Sequence, residues 1–261
     1  MLEIRENVPL ADLMTFQIGG PARFFCDVSD EAEVRDALGW ARENGMPFIV
    51  IAGGSNLLVP DSGLYGLVIR VVGTTFEMSN IVRCSLKAQA GCNLLSLIRA
   101  AAEQGLGGWE KLAGIPGTIG GAVRGNAGAF GPEIKDFVTY VRAINTKTED
   151  VHEFSNAECE FDYRMSFFKK NPEWIILDVH LKLEQGESLL IKRGVEETIA
   201  EREKRHIQNV KAAGSFFMNP VAPLSVVSMF EEEKGVTSRG GRVPAGWLIE
   251  KTGMKGVQLG G

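Results

Sequence analysis

One stretch constrains this chain more than any other. Residues 113–131 read AGIPGTIGGAVRGNAGAFG, and seven of the nineteen are glycine: Gly114, Gly117, Gly120, Gly121, Gly125, Gly128 and Gly131. Flexible linkers fill the space between glycines with serine and other polar residues. Here the fillers include Ile115, Ile119, Val123 and Phe130. Glycine mixed with apolar residues describes a backbone that turns sharply and runs close to something buried. Two readings fit. The stretch is either a set of tight turns joining strands, or a cradle whose exposed N–H groups bind an anion such as pyrophosphate.

The rest of the composition narrows the class. The chain has 261 residues, 44% hydrophobic and 23% charged, with a formal net charge of −5. That is enough chain for one large domain or two to three small ones, and it argues against a nucleic-acid binder, which shows a basic stripe. Cys26, Cys84, Cys92 and Cys159 form no CxxC pair and have no histidines at zinc spacing, so no metal site and a reduced, cytoplasmic setting are expected. Charges run through the first twelve residues and no long apolar window follows. Neither a signal peptide nor a membrane span is expected.

Local patterns predict alternating elements. Residues 23–28 read as a strand. Asp30 and Glu33 have capping-box spacing, Val34, Ala37, Leu38 and Ala41 follow at helical spacing, and Asn44-Gly45 ends the helix. A buried strand at 48–51 runs into a second glycine turn, AGGSNLLV at 52–59, giving a βαβ-like beginning. Strands are expected at 67–72 and 81–88. Gly91 and Asn93 introduce a helix with core residues Leu94, Leu97, Ile98 and Ala101, which stops at Gly105. Further strands are expected at 137–144 and 174–183, separated by a turn through 145–150. A charged helix over 187–206 presents Ile191, Val195 and Ile199 on one face, and a domain boundary is placed between about 183 and 205. Residues 212–220 read as a turn into a strand, and 225–235 and 245–253 as two short helices. The chain then stops on a strand approach and a turn at 256–261, so a missing C-terminal segment is expected.

Four separated motifs occur in one order: TFQIGGPA (15–22), AGGSNLLV (52–59), the stretch 113–131 and AGSFFMNP (213–220), with DYRMSFFK (162–169) before the last and PAGWLIEKTGMKG (244–256) after it. In this set the chain resembles the UDP-N-acetylmuramate dehydrogenase (UDP-N-acetylenolpyruvoylglucosamine reductase) family over nearly its whole length. NAGAFG and the short interval between Arg164 and Ser215 are similar to the shorter class of that family, which lacks an inserted loop with a substrate-binding tyrosine. The resemblance implies an α+β fold. Two FAD-binding subdomains of the vanillyl-alcohol-oxidase (PCMH) type, residues 1–72 and 73–184, precede an incomplete α+β substrate-binding domain over 185–261.

It also implies an activity: NADPH-dependent, FAD-mediated reduction of UDP-N-acetylglucosamine enolpyruvate to UDP-N-acetylmuramate, for peptidoglycan precursors and hence the bacterial cell wall, cell shape and division. Arg164 matches the catalytic arginine, whose fork can bind a carboxylate as enolate charge grows. Ser215 matches the proton donor, with Phe216 and Phe217 placed to exclude water. Asn219 matches a substrate-binding asparagine, beside Met218 where the family usually has lysine. FAD contacts fall on Gly19, Gly20, Gly53, Gly54, Ser55 and Asn56, and on Gly114, Ile115, Pro116, Gly117, Thr118, Gly120 and Gly121. The Ser55 and Thr118 hydroxyls are expected at phosphate, and Val123 and Ala127 along the flavin ring. Ala52 replaces the first glycine of the usual triplet, tolerable if its φ stays negative. The family's third catalytic residue, a glutamate near its C-terminus, has no match, so substrate reduction by residues 1–261 is expected to be strongly impaired. The expected partner is the small UDP-sugar substrate, with no nucleic acid or membrane, and the expected state is a monomer. Two other readings stay open. One is a flavin oxidase of the same fold, although His152, His180 and His206 lie outside the glycine-rich motifs. The other is a truncated, non-catalytic flavin- or nucleotide-binding paralogue.

Overall fold

The fold was described from a computed structural model, which covers residues 2–79, 84–204, 211 and 216–258. The chain divides into two compact units, Met1–Gly214 and Ser215–Gly261.

The first unit carries two main sheets. The first contains β1 (Arg5–Pro9), β2 (Pro21–Val28), then, after helix α1 (Glu31–Glu43), β3 (Phe48–Ile51) and β4 (Leu64–Val71), in the order β1-β2-β4-β3. β2 and β3 both run parallel to β4, so the expected βαβ unit is present with β4 between its two strands. β1, which carries no clear strand pattern, joins antiparallel to β2. The capping of α1 differs in detail from the box that its sequence suggests. Asp30 accepts from the Glu33 N–H at 2.9 Å, but the Glu33 carboxylate reaches past Asp30 to the N–H and hydroxyl of Ser29, both at 2.7 Å. Val34, Ala37, Leu38 and Ala41 are buried against the sheet, as the spacing predicts.

The second sheet is antiparallel throughout. After β5 (Phe76–Ser79) and β6 (Ser85–Gln89) come helix α2 (Leu94–Glu103), the short β7 (Leu106–Gly107) and helix α3 (Ile119–Arg124). β8 (Val138–Asn145), β9 (Val151–Ser155), helix α4 (Phe167–Lys170) and β10 (Trp174–Lys182) complete it, in the order β5-β6-β10-β8-β9. Residues 81–83 of the strand expected at 81–88 lie outside the described residues. The two-residue β11 (Glu184–Gln185) pairs with β7, and helix α5 (Ser188–Lys204) follows. Ile191, Val195 and Ile199 of α5 are buried in the same core as α2 and the second sheet. Trp109, Leu112 and Phe168 fill the centre of that core without exposure.

Asn93 caps α2 as expected: its side chain accepts from the Ser96 N–H at 2.9 Å. Losing such a cap leaves a helical N–H unsatisfied at a cost of about 1 kcal/mol. Asn93→Ala should therefore lower the urea midpoint by that equivalent at an unchanged denaturant slope, and an unshifted midpoint would contradict the capping role.

The second unit is small. Val221 bridges Arg242, and Ala222 and Val243 donate to the Gly241 and Pro220 carbonyls. Helices α6 (Leu224–Lys234) and α7 (Ala245–Lys251) pack Val227, Phe230 and Trp247 onto Val243, with the Phe230 and Trp247 rings 5.4 Å apart. In place of the strand expected within 212–220, the described part, 216–220, is irregular.

Candidate active site

Two glycine turns, some sixty residues apart in sequence, face each other in the first unit. The first follows β3. Gly54 has φ +61°, and a Cβ there would overlap the Leu13 carbonyl oxygen. The Thr15 N–H donates to the Gly54 carbonyl at 3.2 Å, so the 3-10 turn Ala11–Leu13 buttresses this loop from behind. Ala52 is not among the positive-φ residues, consistent with its side chain.

The second turn enters α3. Leu94 N–H donates to the Gly117 carbonyl at 3.0 Å, and Ile119 and Gly120 donate to the Cys92 and Ala90 carbonyls at 2.9 Å. These bonds sew the glycine stretch to the chain between β6 and α2. Between the turns, Ser55 Oγ donates to the Pro116 carbonyl at 3.2 Å. A Cβ on Gly53 would lie 3.1 Å from the Gly117 Cα, and one on Gly117 would meet Ser55 Oγ at 2.6 Å. Thr118 Oγ1 accepts from the Gly121 N–H at 3.2 Å. Both hydroxyls expected at phosphate thus already hold the turns in shape.

What the turns leave open are backbone donors. Among the described residues, the N–H groups of Gly53, Gly54, Ser55, Asn56, Gly117 and Thr118 donate to no protein acceptor. Unsatisfied N–H groups on facing turns, with glycines Gly53 and Gly117 at their nearest approach, fit a diphosphate, because such concavities bind anions through main-chain dipoles. The residues present therefore fit the diphosphate of FAD.

The other expected contacts divide. Gly114 is buried, Ile115 half-buried, and Pro116 and Gly121 exposed. Gly120 is buried against Ala90. Gly19 and Gly20 lie against Val59 and the Asp61–Gly63 backbone. Val123, expected along the flavin ring, has no exposed surface and belongs to the core, so it offers a ligand nothing. Ala127 keeps partial exposure at the edge of that core.

Arg164 sits in a two-residue turn closed by reciprocal Asp162–Met165 backbone bonds, both 3.0 Å. Its φ is +56°, uncommon for a side-chain-bearing residue and found disproportionately at functional sites. Its guanidinium lies 5.9 Å from the Tyr163 ring, and Lys169 Nζ donates to its carbonyl at 2.8 Å. Burial, with the cations of Arg124 and Arg164, holds the Lys169 pKa below its ordinary value.

A residue missed in the sequence connects these parts. Asn126 is fully buried at φ +42°. Its Nδ2 donates to Glu133 Oε2 and to the Asp162 carbonyl, both at 2.9 Å, and its Oδ1 accepts from the Lys135 N–H at 3.3 Å. The available signal was an asparagine between glycines, since asparagine tolerates the left-handed region.

Ser215 lies outside the described residues. In the second unit, Asn219 Oδ1 accepts from the Ala245 N–H at 3.2 Å and its carbonyl accepts from Arg242 Nη1 at 3.0 Å. Its side chain thus holds the start of α7. Phe216, Phe217 and Met218 are exposed. Among the described residues no group of His, Cys, Asp and Glu is arranged to hold a metal, and no helix is long and apolar enough to cross a membrane. Burial pushes the thiols of Cys26 and Cys159 up to about 12 and that of Cys92 to about 11, leaving them inert.

Facing glycine turns with open N–H groups, carried in one unit with a parallel-containing and an antiparallel sheet, fit the FAD-binding class of flavoprotein, and comparison with known proteins places the chain there. A sequence model described as "FAD binding domain" matches residues 22–155, and one described as "UDP-N-acetylenolpyruvoylglucosamine reductase, C-terminal domain" matches 205–261. The chain is 38% identical over 268 residues to a UDP-N-acetylenolpyruvoylglucosamine reductase of Solibacter usitatus, covering 100% of this chain and 82% of that protein. It is 35% identical over 289 residues to the protein of that name from Pseudomonas aeruginosa, covering 99% and 85%. The crystal structure of UDP-N-acetylenolpyruvylglucosamine reductase from Thermus caldophilus superposes with a TM-score of 0.77 at 31% identity, covering 100% of this chain and 84% of that one. Cholesterol oxidase from B. sterolicum shares the fold alone, with a TM-score of 0.55 at 11% identity over 70% of this chain and 38% of that one. This chain belongs to the UDP-N-acetylenolpyruvoylglucosamine reductase family, and it is a flavin-dependent oxidoreductase.

Proposed function

We propose that the protein reduces the enolpyruvyl ether of UDP-N-acetylglucosamine to UDP-N-acetylmuramate, with NADPH as reductant, in peptidoglycan precursor synthesis. The observation that carries the reading is the pair of glycine turns with open N–H groups, followed in the same unit by Arg164 on a strained turn. Bound FAD supplies hydride chemistry that no side chain can. The turns at 52–56 and 114–118 hold its diphosphate through main-chain N–H groups. Arg164 binds the substrate carboxylate and stabilises the enolate charge that grows there, because a fork of N–H donors is strongest toward a full anion. Ser215 delivers the proton to the adjacent carbon, and Asn219 binds substrate. A division into 1–72, 73–184 and 185–261, in which helix α5 of the third part packs on the core of the second, a monomeric state and a cytoplasmic location, where nucleotide-sugar precursors are made, complete the reading.

The test is spectroscopic. The purified chain, reconstituted with FAD, is expected to keep yellow flavin through gel filtration without a covalent link. NADPH should bleach it under anaerobic conditions, and the enolpyruvyl UDP-sugar should restore the colour, more slowly than in a protein that carries the family's C-terminal glutamate. Failure to retain flavin would refute the cradle. Colour restored by oxygen or a simple alcohol–ketone couple, but not by the UDP-sugar, would refute the substrate and favour an oxidase.

A further inference from the structure

We infer that Asn126 is a positioning residue for Arg164, fixing the arginine turn on the end of the glycine-rich stretch so that the guanidinium meets the substrate carboxylate. The inference rests on the reading of Arg164 as the carboxylate-binding residue.

The geometry is over-determined. The Asn126 amide has two acceptors, Glu133 Oε2 and the Asp162 carbonyl, on one side and one donor, the Lys135 N–H, on the other. Only one orientation of the amide satisfies all three, so the group cannot flip without losing every bond. Glu133 is itself held by Lys135 Nζ at 2.8 Å. Asp162 is the first residue of the tight turn that carries Arg164. On the far side of the turn, buried Ser166 donates through Oγ to the Arg124 carbonyl at 2.7 Å. Arg164 is thus clamped two residues away on each side, and both clamps grip the end of α3, at Arg124 and Asn126. The same segment begins at the glycine turn that faces residues 52–56. One continuous run, 114–126, therefore sets both the cradle and the arginine turn, through groups that need no contact with substrate.

A buried asparagine that only stabilises a loop would change melting and flavin retention without changing ligand preference. The test separates these effects. Asn126→Gly removes the side chain while glycine accepts φ +42° without strain. The FAD-loaded protein is titrated, following flavin absorbance and heat, with UDP-N-acetylglucosamine enolpyruvate and with UDP-N-acetylglucosamine, which lacks the carboxylate. The native protein is expected to prefer the carboxylate-bearing ligand, and Arg164→Ala to abolish the preference. Asn126→Gly is expected to cut it about tenfold, the equivalent of about 1.4 kcal/mol, with affinity for UDP-N-acetylglucosamine and for FAD unchanged. Ser166→Ala, which opens the opposite clamp, should reduce the preference in the same direction. If Arg164→Ala abolishes the preference and Asn126→Gly leaves it intact, the positioning role is wrong and the reading of Arg164 stands. If Arg164→Ala leaves it intact, the reading of Arg164 is wrong and the positioning role goes with it. Should Asn126→Gly fail to fold or to hold FAD, an unaltered preference in Ser166→Ala overturns the inference.

Discussion

Arg164→Ala is expected to lower kcat/KM for the enolpyruvyl UDP-sugar by about 10²–10³, the range found when one pre-organised donor to a developing oxyanion is removed. The reason lies in when the interaction is strongest. The substrate carboxylate is already anionic, but reduction pushes more charge onto it, so the guanidinium fork gains most in the transition state and its loss falls on kcat more than on KM. Flavin retention and bleaching by NADPH should be untouched, because removing the Arg164 side chain leaves the Asp162–Met165 backbone turn and the flanking bonds to Arg124 and Asn126 in place. Arg164→Lys should recover little, since a lysine offers a point charge in place of two parallel donors. Steady-state kinetics with both variants decides the matter: equal kcat/KM in native protein and Arg164→Ala removes the arginine from the mechanism.

Gly54→Ala should be the most damaging single substitution in the cradle. At φ +61° an alanine costs about 1–2 kcal/mol in backbone strain. Its Cβ would also overlap the Leu13 carbonyl oxygen, a backbone atom that cannot swing away, and overpacking of this kind adds about 1–3 kcal/mol. The buttress from the 3-10 turn Ala11–Leu13 has to move, and the open N–H groups of the first turn move with it. Lower stability and loss of FAD are expected together. Gly117→Ala makes a useful contrast. Its φ of +107° is also strained, but its Cβ would meet Ser55 Oγ, the end of a short side chain that can rotate. FAD affinity should fall there with a smaller loss of stability. Gly39 of α1 has open space around its Cβ position, and Gly39→Ala should stabilise by about 0.5–1 kcal/mol. Melting curves and flavin titration of the three variants give the comparison, and a Gly54→Ala protein that melts and binds FAD like native would refute the buttress.

Much of the local architecture was legible in the residues themselves. The buried faces of α1, α2 and α5 follow the helical spacing of their apolar side chains, and Asp30 and Asn93 cap where short acceptors precede a periodic run. β1 escaped because RENVP has no alternation; it forms a strand only because β2 offers an open antiparallel edge. The position of β4 between β2 and β3 escaped for a related reason, since parallel register is chosen by packing against helices on the sheet faces and not by any one strand. At the site, the glycines were legible and the side chains were less so. Ser55 and Thr118 read as phosphate ligands; the Ser55 hydroxyl donates to the Pro116 carbonyl, whereas the Thr118 oxygen accepts from the Gly121 N–H and keeps its own proton to donate. Val123 read as a ring contact, yet its position on α3 turns it into the core.

By itself the sequence determined that the backbone must turn at 52–56 and 113–131, which helices form, and, through the order of its motifs, which family the chain resembles. Each of these is a property of neighbouring residues or of residue types in series. Only the tertiary structure decided that the two turns face one another, which N–H groups stay open, and that Asn126 fastens the Arg164 turn to the end of the glycine-rich stretch. Those depend on contacts between segments roughly 35–60 residues apart, whose geometry is set by the sheets and helices between them and is written in no short stretch of chain.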